Sequence, residues 1–528
     1  MKKQFVECLI AKQYEKCTQI LSLNSFLLKE EDMNVYIFSY YCYILDFEKV
    51  KKMFIEIKNK DSKYEYILLE NMPKIVKDLS YCEPVLQLYF DLLKISKKQI
   101  GIMEIGDGLI DSKKYKKARD FFIKVLDIDK DDFTALKHSV QLSNFICDFD
   151  TTKEIITQDI LDNYKNDEFK YNILLNELEI AEHKVYLKSK PRTMLVAVTT
   201  KCNIKCLMCT RDKIWDISES MKNEIISMFK YLEIVVWQGG EVFLYKYFFE
   251  LLKLSKINEN IRHIIVTNGL FFSDKWINLL LSIKNLDLTV SIDGTTKEIY
   301  EKIRVGARFE QLIDNLTRFA NKKKMVTSNI VLTLRCAVMK SNYKQIVDFI
   351  KFAIKYSFNI VIFAPVQNLY TEENIWNNLT EDMNDYIYEQ YTIAEKLAKK
   401  NNISLINWLP IHKRKIENLQ NSDKNILEKE QKFKEEDNKY CQIFEEDKII
   451  CFRPWKQIVL NVDGFVTPEC LCQKQITTID RIVSFSDAWN SVIMQEYRKK
   501  LTEQNYEWCN RDCISGAIAK EHLKFISR

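Results

Sequence analysis

Three cysteines offer the most definite chemistry in this chain. Cys202, Cys206 and Cys209 stand in the run VTTKCNIKCLMCT, separated by three residues and then by two. Thiolates so spaced can ligate three irons of one [4Fe–4S] cube and leave the fourth iron open to an outside ligand, whereas four thiolates would close the cube for electron transfer. A zinc loop completed by a distant ligand, or ordinary buried thiols, are the bland readings of the same spacing. A second group lies near the other end, at Cys451, Cys470, Cys472, Cys509 and Cys513. Zinc held by four thiolates is its main alternative to an iron–sulfur cluster.

Cysteine loops need elements to hold them. The β-branched run Met194 to Thr199 reads as a strand feeding the first loop. The apolar run Leu232 to Val236 leads into Trp237-Gln238-Gly239-Gly240-Glu241, where two glycines permit close backbone approach and an acid matches an ammonium. Two further short apolar runs end in polar residues and glycine: Ile264 to Gly269, containing Asn268, and Leu288 to Gly294, containing Ser291 and Asp293. Polar groups at the carboxyl ends of parallel strands are where α/β sheets bind ligands. Ile330 to Val338 and Asn359 to Pro365 complete the strand set, with a helix around Tyr343 to Tyr356 between them. Near the carboxyl end, alternation through Gln457 to Val462 and Phe465 to Thr467 about Asp463-Gly464 is a hairpin signal.

Residues 190 to about 515 resemble the radical S-adenosylmethionine (radical SAM) superfamily, in the subgroup that carries a carboxyl-terminal SPASM or twitch extension. The resemblance rests on the triplet, the Gly-Gly-Glu run, the two polar strand ends and the distal cysteine pattern, in the family's order. It implies a [4Fe–4S] cluster on Cys202, Cys206 and Cys209, with SAM bound through its amino and carboxylate groups at the open iron. Gly239, Gly240 and Glu241 would hold the SAM amino group. Ser291 and Asp293 would lie by the ribose and adenosyl part, and Arg304, in EIYEKIRVGARF, would meet the carboxylate; Asn268 adjoins them or caps its turn. Met208 stands where many relatives have an aromatic residue before the third cysteine, at a position whose adenine contact is largely backbone. The implied reaction is reductive cleavage of SAM to a 5′-deoxyadenosyl radical that abstracts hydrogen, with an electron donor such as flavodoxin or ferredoxin. Cys451-Phe452-Arg453-Pro454-Trp455, the Asp463-Gly464 turn, the proline-flanked Cys470 and the closing pair Cys509 and Cys513 resemble the SPASM/twitch pattern. Five cysteines over this stretch imply one auxiliary [4Fe–4S] cluster on Cys451, Cys470, Cys509 and Cys513, with Cys472 a substitute or a free thiol and Cys441 an outlier.

The amino-terminal third is a different kind of sequence. An aromatic recurs at Tyr14, Phe47, Tyr81, Tyr115 and Phe149, every 33 or 34 residues, and a mostly small or compact residue follows three positions later. The unit from Asp111 to Asp129 looks like a tetratricopeptide (TPR) helix–turn–helix, although Lys130 replaces the repeat's proline. A degenerate TPR-like array, an α-solenoid, is expected, and such arrays hold peptides or proteins on a concave face. A plain helical bundle is the alternative.

Composition bounds the remainder. The chain has 528 residues, 47% of them hydrophobic, and a net charge of +5, which gives no case for nucleic acid. No run approaches the roughly 18 apolar residues of a membrane span. Free thiols and cluster ligands point to a reducing cytoplasm. Cys8, Cys17, Cys42, Cys82, Cys147 and Cys336 read as structural thiols, and five scattered histidines argue against a histidine-metal centre. The expected organisation is α/β: TPR-like helices over 1–185, a partial (β/α)6 radical SAM barrel over 190–410, a charged helical linker over 411–444, and a SPASM/twitch-like domain over 445–518. A peptide or protein substrate held by the array is favoured. Oxidation or epimerisation of a small molecule such as a sugar or aminoglycoside is the alternative, and a non-enzymatic iron–sulfur scaffold is the third reading. Substrate, catalytic acid or base and oligomeric state are not legible.

Overall fold

The structure is a computed structural model that describes residues 30–60, 62–209, 214–326, 330–366, 372–412, 451–469, 472–478, 481 and 484–509. Tyr14, Cys8, Cys17, Cys441, Cys470 and Cys513, and nearly all of the linker expected over 411–444, lie outside the described residues. The chain divides into two compact units, one running to Leu161 and the other beginning at Asp162. Among the described residues no helix is long and apolar enough to cross a membrane.

The first unit is helical: α1 (Glu30–Tyr43), α2 (Phe47–Lys60), α3 (Ser62–Asp78), α4 (Glu83–Ser96), α5 (Ile102–Asp111), α6 (Tyr115–Leu126), α7 (Phe133–Phe145) and α8 (Phe149–Ile155). Apolar residues at helical spacing make α2 to α6 amphipathic; α6 buries Tyr115, Ala118, Phe121, Phe122 and Val125. The repeat is written in the turns as well. The N–H groups of Asp46, Tyr81, Lys114 and Asp148 each reach back five residues, to the carbonyls of Tyr41, Val76, Leu109 and Ser143. Leu45, Ser80, Lys113 and Cys147, one residue earlier in each case, are left-handed. This is the Schellman stop of a helix, recurring at the aromatic period, and Phe47, Tyr115 and Phe149 open the helices that follow.

The second unit is built on one sheet. It begins with α9 (Glu168–Ala181) and continues as β1 (Thr193–Thr199), β2 (Lys205–Cys206), α10 (Glu219–Met228), β3 (Ile234–Gly239), α11 (Phe248–Leu254), β4 (Arg262–Thr267), α12 (Asp274–Leu281), β5 (Leu286–Ser291), α13 (Lys297–Ile303), β6 (Arg304–Val305), α14 (Phe309–Lys323), β7 (Val331–Val338), α15 (Ile346–Lys355), β8 (Ile360–Pro365), α16 (Glu381–Lys400) and β9 (Ser404–Asn407). Strands β10 (Gln457–Leu460), β11 (Phe465–Thr467) and β12 (Thr477–Thr478) follow. The order is β12-β11-β10-β1-β3-β4-β5-β7-β8-β9. Six strands, β1, β3, β4, β5, β7 and β8, are the parallel set of the expected partial barrel. Their alternate residues, among them Val196, Trp237, Ile265, Val290, Leu334 and Phe363, form the core shared with the helices. Buried Cys336 belongs to that core.

Two extensions were not read from the sequence. β9 adds a parallel strand at one edge. At the other edge the carboxyl-terminal hairpin enters the same sheet, with β10 parallel to β1 from Thr193↔Gln457 to Val196↔Leu460. The hairpin turns at Asp463-Gly464 as expected, with Gly464 at φ +85°. Its junction with the barrel is held by buried tryptophans and charges. Trp455 Nε1 donates to Lys184 O at 2.8 Å, Trp489 Nε1 to Ser189 O at 2.8 Å, and Arg498 to the carbonyls of Pro454, Val185 and Trp489.

Beneath the junction lies a charged knot. Arg192 bridges Glu177 of α9 and Glu233 just before β3, with its Nε 2.6 Å from Glu233 Oε2, while Lys456 Nζ donates to Glu177 Oε1 at 2.8 Å. Glu177 is wholly buried and Arg192 2% exposed. Burial alone would raise the Glu177 carboxyl, but Lys456 and Arg192 outweigh it and hold it at about 2. A carboxyl depressed from about 4.5 in the unfolded chain contributes its full stability above that pH and loses it as pH falls towards 2, on the order of 3 kcal/mol. Acid unfolding should therefore steepen between pH 4.5 and 2. Glu177→Ala, which strands a guanidinium and an ammonium, should cost about 3–5 kcal/mol at pH 7, read as a lower urea midpoint. An unchanged midpoint would show that the knot is dispensable.

Candidate active site

The carboxyl ends of the parallel strands carry the expected residues, and the structure brings most of them together. β1 ends in a bulge between Ala197 and Thr199, where its pairing with β3 shifts register. The loop that follows crosses the end of β3. Gly240 N–H donates to Thr199 O and Glu241 N–H to Lys201 O, each at 2.7 Å. Neither glycine has room for a side chain. A Cβ on Gly239, whose φ is +130°, would stand 2.2 Å from Thr199 O, and one on Gly240 would stand 2.0 Å from Lys201 O. The glycines are thus required first by the cysteine loop itself.

Asp216 secures the loop's outer side, accepting from Thr199 Oγ1 at 2.5 Å and pairing with Lys201 Nζ at 2.6 Å. Within the loop Cys206 pairs through its backbone with Arg304, as β2 with β6, and Cys209 N–H donates to Cys206 O at 3.1 Å. Cys202, Cys206 and Cys209 are each half-buried. Burial pushes the Cys206 thiol up; Arg304 opposes this, while Asp293, Cys202 and Cys209 reinforce it. The three thiols therefore lie within electrostatic reach of one another.

Glu241 is fully buried. Its Oε1 accepts from Thr267 Oγ1 and its Oε2 from Asn268 N–H, both at 2.8 Å. Burial raises this carboxyl to about 7 against those donors. Asn268 does two things: its Oδ1 caps the turn by accepting from Leu270 N–H, and its Nδ2 donates to Asn203 Oδ1 at 2.8 Å and lies 3.9 Å from Cys202 Sγ. Arg304 is 5% exposed. Its Nη2 is 2.7 Å from Asp293 Oδ2 and its Nη1 3.8 Å from Cys206 Sγ, while its Nε is buried without a partner. Burial opposes its charge, yet Asp293 beside it holds it firmly charged. Asp293 Oδ1 accepts from Ala337 N–H at 2.8 Å, while Oδ2 makes the ion pair with Arg304 but has no hydrogen-bond partner among the described residues. Ser291, at the end of β5, is paired with Arg335 and partly exposed.

These residues fit a [4Fe–4S] cluster and SAM. The loop carries three soft sulfur donors, a buried carboxylate suits an ammonium, and the orphaned Arg304 Nε suits a carboxylate. Asp216, Asn203, Thr267 and Asn342, which buttress the site, were missed from the sequence. Thr267 precedes Asn268 at the same polar strand end, and that position was its only signal.

The distal site is partly described. Cys451 and Cys509 pack at the edge of the core. Gln473 N–H donates to Trp508 O at 3.1 Å, which sets Cys472 and Cys509 on neighbouring segments. Tyr497 feels both thiols.

Comparison with known proteins agrees with this arrangement. Residues 196–335 match the radical SAM superfamily, and residues 451–514 match an iron–sulfur cluster-binding domain, SPASM. Among curated proteins, GTP 3′,8-cyclase of Limosilactobacillus fermentum is 27% identical over 189 residues, covering 33% of this chain and 54% of that protein. Probable GTP 3′,8-cyclase of Methanocaldococcus jannaschii is 26% identical over 223 residues, covering 40% and 67%. The chain thus spans about half the length of the first relative and two thirds of the second. Among solved structures, Streptococcus suis SuiB bound to S-adenosylmethionine aligns with 15% identity over 80% of this chain and 88% of that one, at a TM-score of 0.44. His-tagged anSMEcpe with bound AdoMet aligns with 18% identity over 61% and 82%, at a TM-score of 0.40. A radical SAM domain binds a [4Fe–4S] cluster and SAM, and a SPASM domain binds auxiliary clusters. The chain carries a radical SAM domain over residues 196–335 and a SPASM domain over residues 451–514.

Proposed function

We propose that the protein is a SAM-dependent radical enzyme acting on a peptide or protein. The observation that carries the chemistry is the meeting, at one end of the sheet, of a three-thiol loop, a buried carboxylate and a buried guanidinium with a spare donor. Cys202, Cys206 and Cys209 would hold the cluster, and Glu241 would receive the SAM ammonium. Arg304 would offer Nε to the carboxylate. Asp293 acts on SAM indirectly, by fixing that guanidinium, and Ser291 would lie by the ribose. With cluster and SAM bound, the site supplies a 5′-deoxyadenosyl radical that takes hydrogen from the substrate. The residues' own task is to bind, orient and exclude water. Cys451, Cys470, Cys509 and Cys513 would hold the auxiliary cluster, with Cys472 close to Cys509, in a reducing cytoplasm.

The peptide reading is supported by the first unit. A groove of about 910 Å³ runs between α3, the start of α5 and the start of α7, lined by Tyr66, Glu70, Lys74, Gln99, Glu104 and Asp132. Its size and polar rim suit several residues of extended chain. A small-molecule substrate is the second reading, favoured by the curated relatives named for GTP. The deciding experiment offers the reconstituted enzyme the peptides encoded by short reading frames adjoining its gene. A mass change in one of them supports the proposal; turnover of a sugar or nucleotide instead would replace it.

Two outcomes test the site itself. Anaerobically reconstituted wild type should hold about eight irons, from two cubes, and the triple variant Cys202→Ala, Cys206→Ala, Cys209→Ala about four. Eight irons in the variant would sink the assignment. Glu241 titrates near 7 without ligand, and only its charged form attracts an ammonium. SAM affinity measured by equilibrium dialysis should therefore fall as pH drops below about 7, and this dependence should vanish in Glu241→Gln. A flat profile in wild type would remove Glu241 from the ammonium site.

A further inference from the structure

Tyr300 is a residue to which neither the sequence motifs nor the site description gives a task. It is wholly buried, and its hydroxyl has no partner among the described residues. An unpaired buried hydroxyl costs about 1–3 kcal/mol, while a phenylalanine there would bury the same ring against Phe309 at 5.5 Å without that cost. The hydroxyl's surroundings are not apolar. The charged or ionisable groups that act on it are Arg304, Asp293, Cys206 and Glu241, all members of the candidate site and drawn from four different segments.

Its position in the chain explains why. Tyr300 lies on α13, and Arg304 N–H donates to Tyr300 O as the helix ends. The two side chains are therefore four residues apart and share one face. Arg304 carries the second orphan of this region, its Nε. Asp293 takes Nη2, and Nη1 is directed at Cys206, so Nε is the donor left over. Two buried donors on one helix face lack an acceptor, and the one buried acceptor beside them without a hydrogen bond, Asp293 Oδ2, is already ion-paired with Arg304 Nη2. An α-amino acid end matches this set: its ammonium meets Glu241, and the two oxygens of its carboxylate meet the two spare donors.

We propose that the Tyr300 hydroxyl is the second donor to the α-carboxylate of SAM, completing with Arg304 Nε a two-point carboxylate site. This rests on the SAM reading above and extends it to a residue outside the recognised motifs. Tyr300 is a binding and positioning residue; it holds the amino-acid end so that the sulfonium presents one geometry to the cluster.

The test is Tyr300→Phe in the full-length protein with its iron reconstituted. The readouts are iron content, the dissociation constants of SAM and of 5′-methylthioadenosine, and the cluster's midpoint potential without SAM. 5′-Methylthioadenosine keeps the adenosine and the thioether but lacks the amino-acid end. The expected result is wild-type iron, SAM binding weakened about tenfold as for one lost bond to a charged group, unchanged 5′-methylthioadenosine binding and an unchanged midpoint. Unchanged SAM binding would overturn the proposal. So would equal weakening of both ligands, which would mean a distorted pocket, and so would a shifted midpoint, which would give the hydroxyl to the Cys206 sulfur. If wild type binds no SAM, the failure belongs to the parent reading and not to Tyr300. Thermal melts of the iron-free protein guard against misfolding: with no acceptor present, Tyr300→Phe should melt no lower than wild type. A lower melting temperature would show that the hydroxyl has a partner within the fold and would equally overturn the proposal.

Discussion

The site depends on two backbone hydrogen bonds, from Gly240 to Thr199 and from Glu241 to Lys201. They fasten the start of the cysteine loop to the start of the acid loop, so thiols and carboxylate cannot drift independently. The bulge that ends β1 turns the chain across β3, and the missing side chains of Gly239 and Gly240 allow the backbones to close to contact. Backbone bonds suit this task because they are short, directional and independent of side-chain rotamers. Everything finer, including Asn268 against Asn203 and Arg304 against Cys206, is a side-chain adjustment on that frame.

The frame is rigid because β1 is an interior strand, flanked by β3 on one side and by the carboxyl-terminal β10 on the other. An edge strand would present unpaired N–H and C=O groups and fray at its end. Borrowing β10 from the cluster-binding domain removes that edge beneath the cysteine loop. The knot of Arg192, Glu177, Glu233 and Lys456 then fixes which strand docks there. Buried charges of this kind add little net stability over apolar packing, because desolvation offsets most of their attraction. Their effect here is selectivity: a hairpin shifted by one residue would move Lys456 from Glu177 and leave two carboxylates to share Arg192 alone.

Much of this was legible in the sequence, for reasons particular to each element. The six barrel strands are short apolar, largely β-branched runs, and three of them, β3, β4 and β5, stop at or shortly before glycine or asparagine. The hairpin at Asp463-Gly464 follows from turn chemistry alone. The pairing of β10 with β1 was not legible, because a parallel partner more than 250 residues away leaves no mark in local periodicity. The acids of α9 drew no expectation: Glu177 and Glu179 are both buried, and sequence cannot tell an exposed glutamate from one with an arginine waiting for it. At the site, the residues with motif positions were found and their supports were not. Asp216 and Asn342 hold loops by contacts that only folding creates.

The electrostatics of the candidate site follow from the same burial. Glu241 is buried and sits near its titration point, while Arg304 nearby is held fully charged. The protein therefore presents a fixed cation beside a carboxyl whose charged form burial disfavours. A zwitterion entering this space gives Glu241 its counter-charge and Arg304 Nε and Tyr300 their acceptor in one event. The desolvation that makes these groups costly alone also makes each new contact stronger than it would be in water. A ligand lacking either end leaves one buried group still unpaired, and the penalty for an unmet buried group exceeds the gain from a met one. On the proposed reading, the site would select for the whole amino-acid end through the groups that only that end can pair.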